Sequence, residues 1–258
     1  MFINILKEKL KQKKPICGTH VSLSDPSICE IIGYLGYDFI WIDMEHTYID
    51  YKTLAIHLNA AKATGTPVIV RVPADDFTTT KKVLEMGIDG IIFPMIQNAE
   101  QANRLIDFTL YPPVGTRGFG PIRAIRYGLD NVNEYINSSS FDICRFIQIE
   151  HKDAVDDLNE IIKNPYIDGY IFGPNDLSGS IGELGNVFGD NTTELIKRAI
   201  QILKNADKTI GVSTGDTNCS TLEHWHALGI NMISAGADYN YILTSACEAL
   251  KNIRKVLK

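Results

Sequence analysis

Residues 38–46 read DFIWIDMEH: five strand-prone residues, 39–43, run straight into Asp43, Glu45 and His46. An apolar run this short and without alternation reads as a strand buried on both faces, and such strands belong to parallel sheets covered by helices. A buried strand that finishes in two carboxylates and an imidazole is more polar than packing requires. In a closed α/β barrel the carboxyl ends of all strands converge on one face, so ionisable residues gathered at those ends read as chemistry.

Seven further runs share the character of 39–43: ICGTHVS (16–22), PVIVRV (67–72), GIIFPM (90–95), RFIQIE (145–150), GYIFG (169–173), TIGVST (209–214) and NMISAG (231–236). The segments between them have helical periodicity, YKTLAIHLNAAKATG and NTTELIKRAIQILKNA among them. Gly36, Gly65 and Gly87 stand where a helix end wants a left-handed residue, and Asp25 precedes a proline that suits a first helical turn. Eight strands alternating with helices predict an α/β chain folded as one (β/α)8 TIM barrel domain over residues 1–258. The rival, a doubly wound open sheet, would carry a glycine-rich phosphate turn after its first strand, and THVSLSDP is not one. The closing stretch YNYILTSACEALKNIRKVLK predicts a long helix that closes the barrel or packs on a neighbour.

A net charge of -6 and a pI near 5.5 argue against nucleic acid as a partner, which needs a basic surface. The basic run KEKLKQKK (7–14) reads as a solvated helix face. Five scattered cysteines without a C-x-x-C pair read as reduced thiols. No apolar run approaches the roughly 20 residues of a membrane span, and MFINILKEKL carries charges where a signal peptide has its apolar core. The expectation is a soluble cytoplasmic protein with no membrane partner.

The polar strand ends name the candidates. Arg71 sits inside VIVRV, where an interior arginine needs an anionic partner; Gln148 and Glu150 end QIE; Asp176 lies just past the sixth strand. Asp176 alone reads as a helix cap, but paired with Glu150 it offers a hard divalent cation two oxygen ligands with positions left open for substrate. His46 lacks the spaced partners of a zinc cluster and reads as a general base. His20, near the end of the first strand, is a supporting possibility, and His57 reads as surface or packing. No candidate strand contains a lysine, so Schiff-base chemistry has no nucleophile. The stretch YPPVGTRGFGPIRAIRYG (111–128) reads either as an anion-binding loop or lid, or as a long structural connection.

Taken in order, DFIWIDMEH, VRVP, VLEMGIDGIIFPMIQNAEQA, YPPVGTRGFG, QIEHKDAVDDLNEI, DGYIFGPNDLSGSIG and AGAD resemble the HpcH/HpaI-type class II (metal-dependent) pyruvate aldolases, relatives of the citrate lyase beta chain. The resemblance implies a barrel of the phosphoenolpyruvate/pyruvate superfamily type, its last helix exchanged between subunits of a homohexamer built as a trimer of dimers. It implies Mg2+, Mn2+ or Co2+ held by Glu150 and Asp176, and aldol cleavage or condensation of a 2-keto-4-hydroxy acid to pyruvate plus an aldehyde. Arg71 would steady the developing enolate, and His46 or a water at the ion would act as the base. Asp43 and Gln148 would line the site, and Gly173, Pro174 and Asn175 would hold the pyruvate carboxylate. Glu85 stands where the family often has an aspartate paired with the histidine; glutamate is longer, so the resemblance implies a His46–Glu85 dyad that is altered or bridged by water. Asn175, Ser213 and Thr214 are more polar than is usual on the aldehyde side, which suggests a hydroxylated or sugar-derived aldehyde. Two other readings compete: a malyl- or citramalyl-thioester lyase, with residues 115–126 as its anion loop, and a non-catalytic barrel that binds a 2-keto acid.

Overall fold

The computed structural model describes residues 4–257, so the first three residues and Lys258 of the expected domain lie outside the described residues. All eight expected strands form, with no end displaced by more than one residue. They are β1 (Ile16–Val21), β2 (Phe39–Asp43), β3 (Val68–Arg71), β4 (Gly90–Ile96), β5 (Cys144–Ile149), β6 (Gly169–Phe172), β7 (Thr209–Thr214) and β8 (Met232–Ala237). Neighbours pair in parallel in sequence order, and β8 returns to β1, which closes the barrel.

A short helix α1 (Ile5–Lys11) precedes β1, and the outer layer begins with α2 (Ser27–Leu35), α3 (Tyr51–Thr64), α4 (Phe77–Glu85), α5 (Ala99–Asp107) and α6 (Val132–Asp142). The second half adds α7 (Lys152–Asp156), α8 (Leu158–Ile161), α9 (Pro174–Gly179), α10 (Asp190–Asn205), α11 (Cys219–Ala227) and α12 (Asp238–Val256). Gly36, Gly65 and Gly87 take the left-handed φ expected at helix ends. Asp25 accepts the Ser27 amide, as expected of a cap, but Pro26 itself stays outside α2.

Two cores follow from the period-2 facing of strand side chains. The larger lies between strands and helices; the other fills the barrel interior with Ile16, Phe39, Trp41, Ile69, Ile92, Phe146, Ile171 and Met232. Gly18 is the close-packing position of that interior, because a Cβ there would sit inside the Phe39 ring. One further step along the same inward rows brings His20, Asp43, Arg71, Gln148, Ser213 and Ser234 to the carboxyl end. The amino end is stoppered by α1, whose Leu6 and Leu10 join the interior core. Asn4 Nδ2 donates to the carbonyls of Asp89 (2.7 Å) and Asp142 (2.6 Å), Lys7 pairs with Asp168 at 2.5 Å, and Lys9 pairs with Asp38.

Residues 111–128 form the structural connection, not a lid. Arg123 donates to the Met86 carbonyl and to Asn59, and Arg117 is buried against Glu85 (3.1 Å) and the Tyr135 hydroxyl (3.1 Å). These contacts gather at the last turn of α4, which leads down to the amino end of β4 and away from the mouth. Along α12 only Asp238 is buried, while Ile242, Leu243, Leu250, Ile253 and Val256 are exposed. Among the described residues no helix is long and apolar enough to cross a membrane.

Candidate active site

The chain turns directly after β2, and Asp43 makes the turn. Its Oδ1 accepts the Glu45 amide (3.0 Å), and its carbonyl accepts the Thr47 hydroxyl. This local capping swings Glu45 back over the mouth beside Asp43 and leaves His46 outside. Asp43 grips Arg71 in a two-pronged pair, Nε to Oδ1 at 2.9 Å and Nη2 to Oδ2 at 2.6 Å. Arg71 Nη1 then reaches Glu45 Oε2 at 3.1 Å and Gln148 Oε1 at 3.4 Å. Burial works to raise the Asp43 carboxyl, but the hydrogen bonds and charge of Arg71 overcome it and hold the group below the usual carboxylate range. Beneath them Trp41 carries the Arg71 guanidinium 5.6 Å from its ring centroid.

Glu150 is almost fully buried one residue beyond β5. Its Oε1 accepts Gln148 Nε2 at 2.7 Å and its Oε2 accepts the Met95 amide at 3.0 Å. That amide is available because β4 breaks register between Phe93 and Ile96 and Met95 adopts a left-handed φ of 56°. Pro94, which has no N–H for a ladder, stands in the bulge. Gly173 follows β6 directly, and a Cβ there would drive into the Glu150 carboxylate. Pro174 and Asn175 then open α9, whose first turn carries Asp176 into solvent.

Burial pushes the Glu150 carboxyl up to about 7, with Asp176 and Glu45 adding to the rise and the Met95 amide and Arg71 opposing it. Burial likewise raises Glu45, with Asp43 and Asp176 adding. Asp43, Glu45 and Glu150 therefore bring three carboxyls to bear on one guanidinium, and Asp176 acts on Glu45 and Glu150 from the opening of α9. Among the described residues no three His, Cys, Asp or Glu side chains form a ready-made metal cluster. The donor set still fits a hard divalent cation: oxygen ligands from Glu150 and Asp176, whose mutual repulsion such an ion would relieve.

His46 stands open at the rim, its side chain 68% exposed, with Nε2 3.8 Å from Glu45 Oε2. Glu85 does not join it. The His46–Glu85 dyad is not formed, because Glu85 ends α4 at the far end of the barrel and spends its carboxylate on Arg117. His46 has Glu45 as its acidic neighbour instead.

His20 is more deeply engaged than its supporting reading implies. Its Nδ1 lies 2.8 Å from the Gly236 carbonyl and its Nε2 3.0 Å from Ser213 Oγ, and its ring lies 4.8 Å from that of Trp41. Ser234, Trp41 and the Met95 amide were absent from the sequence reading. Strand parity pointed to Ser234 and Trp41, two residues apart from Met232 and Phe39 on the same inward rows, and Pro94 inside an interior strand was the signal for the bulge. His57 is buried, with Nε2 3.0 Å from the Leu23 carbonyl.

Comparison with known proteins agrees with this geometry. The HpcH/HpaI aldolase/citrate lyase family model matches residues 17–244. A hydroxypyruvate/pyruvate aldolase of Deinococcus radiodurans is 31% identical over 94% of this chain and 87% of its own. A 2-dehydro-3,6-dideoxy-6-sulfogluconate aldolase of Pseudomonas putida is 33% identical over 93% of each chain. An HpcH/HpaI aldolase/citrate lyase family protein from Burkholderia cenocepacia superposes with a TM-score of 0.90 at 29% identity, covering 97% of this chain and 99% of that one. The chain belongs to the HpcH/HpaI aldolase/citrate lyase family.

Proposed function

We propose that this member of the HpcH/HpaI family is a carbon–carbon lyase that splits, and in reverse assembles, a 2-keto-4-hydroxy acid into pyruvate and an aldehyde. The observation that carries the reading is Arg71, clamped by Asp43 at 2.6 and 2.9 Å and facing a buried Glu150 across Gln148. A Mg2+, Mn2+ or Co2+ ion held by Glu150 and Asp176 would supply Lewis-acid polarisation of the keto oxygen.

The chain's own residues do the rest. The proton of the C4 hydroxyl passes to a base, the C4–O bond becomes the aldehyde carbonyl, and the C3–C4 electron pair flows toward the C2 oxygen. His46 is the protein's candidate for that base, with Glu45 at its side. Arg71 offsets the charge that develops on the C2 oxygen, and the Asp43 clamp means no reorganisation is needed when it does. C3 then takes a proton to give pyruvate. Gly173 leaves room beside Glu150, and the amides opening α9 after Pro174 receive the pyruvate carboxylate. Asn175, Ser213 and Thr214 make the aldehyde side polar, which favours a hydroxylated or sugar-derived aldehyde.

The bare apolar face of α12 supports a second copy as its cover, in a homohexamer built as a trimer of dimers with that helix exchanged; sedimentation equilibrium tests it. The whole chain, 1–258, then acts as one barrel domain in the cytoplasm. A thioester lyase is not favoured, since residues 115–126 pack against the far end of α4. The deciding experiment is exchange of the pyruvate methyl protons in deuterated water. Exchange with Mg2+ or Mn2+ that stops on adding EDTA is expected, and no exchange with either ion would overturn the proposal.

A further inference from the structure

One arc of the inward ring, on β8, β1 and β7, carries Ser234, Gly236, His20 and Ser213, and of these only Ser213 has a task in the reaction as drawn. Its hydrogen bonds are set from the Gly236 end. The Gly236 carbonyl, 2.8 Å from His20 Nδ1, can only accept, so Nδ1 carries the proton. Burial, with a smaller push from the Arg71 charge, disfavours the imidazolium despite the Gly236 bond. The ring is therefore neutral, and Nε2 is a bare acceptor. Of the two hydroxyls in reach, Ser213 Oγ at 3.0 Å is the better-placed donor to it, ahead of Ser234 Oγ at 3.4 Å. Ser234 is buried, whereas Ser213 is half-buried and borders the mouth. Once its proton is committed to His20, the Ser213 hydroxyl has only lone pairs left to offer a substrate.

We propose that His20 is a specificity-determining positioning residue: it fixes Ser213 as a hydrogen-bond acceptor toward the mouth, which selects an aldehyde bearing a hydroxyl donor and rejects one bearing a carboxylate. The proposal rests on the aldolase reading and adds the sign of the hydrogen bond to it. A substrate hydroxyl can donate to Ser213. A carboxylate only accepts, so against this wall it loses water and gains no partner. Trp41, with its ring 53° from that of His20, holds the imidazole in the orientation the arrangement requires.

The test compares two aldehydes of opposite character, glycolaldehyde and succinic semialdehyde, each condensed with pyruvate. The readout is the ratio of their kcat/KM values, which uniform damage to the site does not move. The expected wild-type preference for glycolaldehyde is about tenfold or more, the scale of one well-made hydrogen bond. His20→Phe keeps a ring on Trp41 but removes the acceptor, so Ser213 is freed to donate and the ratio shifts about tenfold toward succinic semialdehyde. Ser213→Ala, a smaller change in case His20→Phe folds poorly, lowers the ratio by loss of the acceptor. A ratio that stays put in Ser213→Ala overturns the proposal. A second readout needs no turnover: nitrogen-15 NMR of the imidazole signals at neutral pH, with His20 assigned by its absence from the His20→Phe spectrum. The Nδ1–H neutral tautomer is expected, and an Nε2–H tautomer or an imidazolium overturns the proposal. Loss of the aldolase reading would show separately, as absence of pyruvate methyl exchange in the wild type, and the NMR result would still decide the tautomer.

Discussion

Replacing Asp43 by asparagine keeps the shape of the site and removes one charge, so it isolates what the clamp on Arg71 contributes. Asparagine retains one oxygen for the Arg71 N–H groups but turns an NH2 toward the second, where donor meets donor. Removing one partner of a buried ion pair costs about 3–5 kcal/mol, because the remaining charge is left uncompensated. Glu45 still faces Arg71 at 3.1 Å, and a hydrogen bond to a charged group recovers about 1.5–3 kcal/mol. The net loss is about 2 kcal/mol, which for a chain of this size lowers Tm by about 4–8 °C. Activity falls further, by about 10²–10³ in kcat, because the guanidinium is no longer held against the developing charge. Calorimetry and the methyl-exchange assay read the two effects. In Asp43→Asn/Arg71→Met the uncompensated charge is gone, so the double variant loses at least about 1 kcal/mol less than the sum of the singles. An unchanged Tm in Asp43→Asn, or strict additivity in the double variant, would refute the clamp.

Three further outcomes follow from other contacts. Gly173→Ala places a methyl against a Glu150 carboxylate already fixed by Gln148 and Met95, so Mn2+ affinity measured by calorimetry falls at least about tenfold, the scale of a disturbed ligand support. Met95→Gly relieves a left-handed residue and raises or preserves Tm, whereas Met95→Val, β-branched at φ 56°, lowers stability by about 1–3 kcal/mol in denaturant titrations. His57 and His20 are both held below the ordinary histidine range, chiefly by burial, so unfolding takes up protons. Their stabilisation is present above the unfolded histidine pKa of about 6.5 and is lost as pH falls through and below it; His57→Gln flattens that part of the Tm–pH curve.

The barrel was legible because its strands are continuous apolar runs that nothing but a two-sided sheet accommodates. The cluster of Asp43, Arg71, Gln148, Glu150 and Asp176 was legible for the opposite reason: charge at the end of such a run has nowhere to go except the mouth. Glu85 misled because spacing along a chain says little about distance through a helix. The nine residues of α4 advance about 14 Å, from the mouth to the opposite end, and Glu85 ends that run. Past β2 a regular strand puts Asp43 and Glu45 on one face and His46 on the other, and the turn capped by Asp43 keeps that division, with Glu45 inside and His46 out. The Met95 amide was hidden for a plainer reason, since a backbone donor has no side-chain letter to announce it.

The stopper at the amino end bears on the order in which the molecule assembles. α1 precedes the first strand, yet its partners lie at the approaches to β2, β4, β5 and β6: Asp38, Asp89, Asp142 and Asp168. The Lys7–Asp168 pair spans 161 residues and the Asn4–Asp142 bond 138, so the first waits for the approach to β6 and the second for the approach to β5. A segment that precedes the first strand thus docks only after the chain has folded as far as the approach to β6, and its protection from hydrogen exchange marks a barrel assembled to that point.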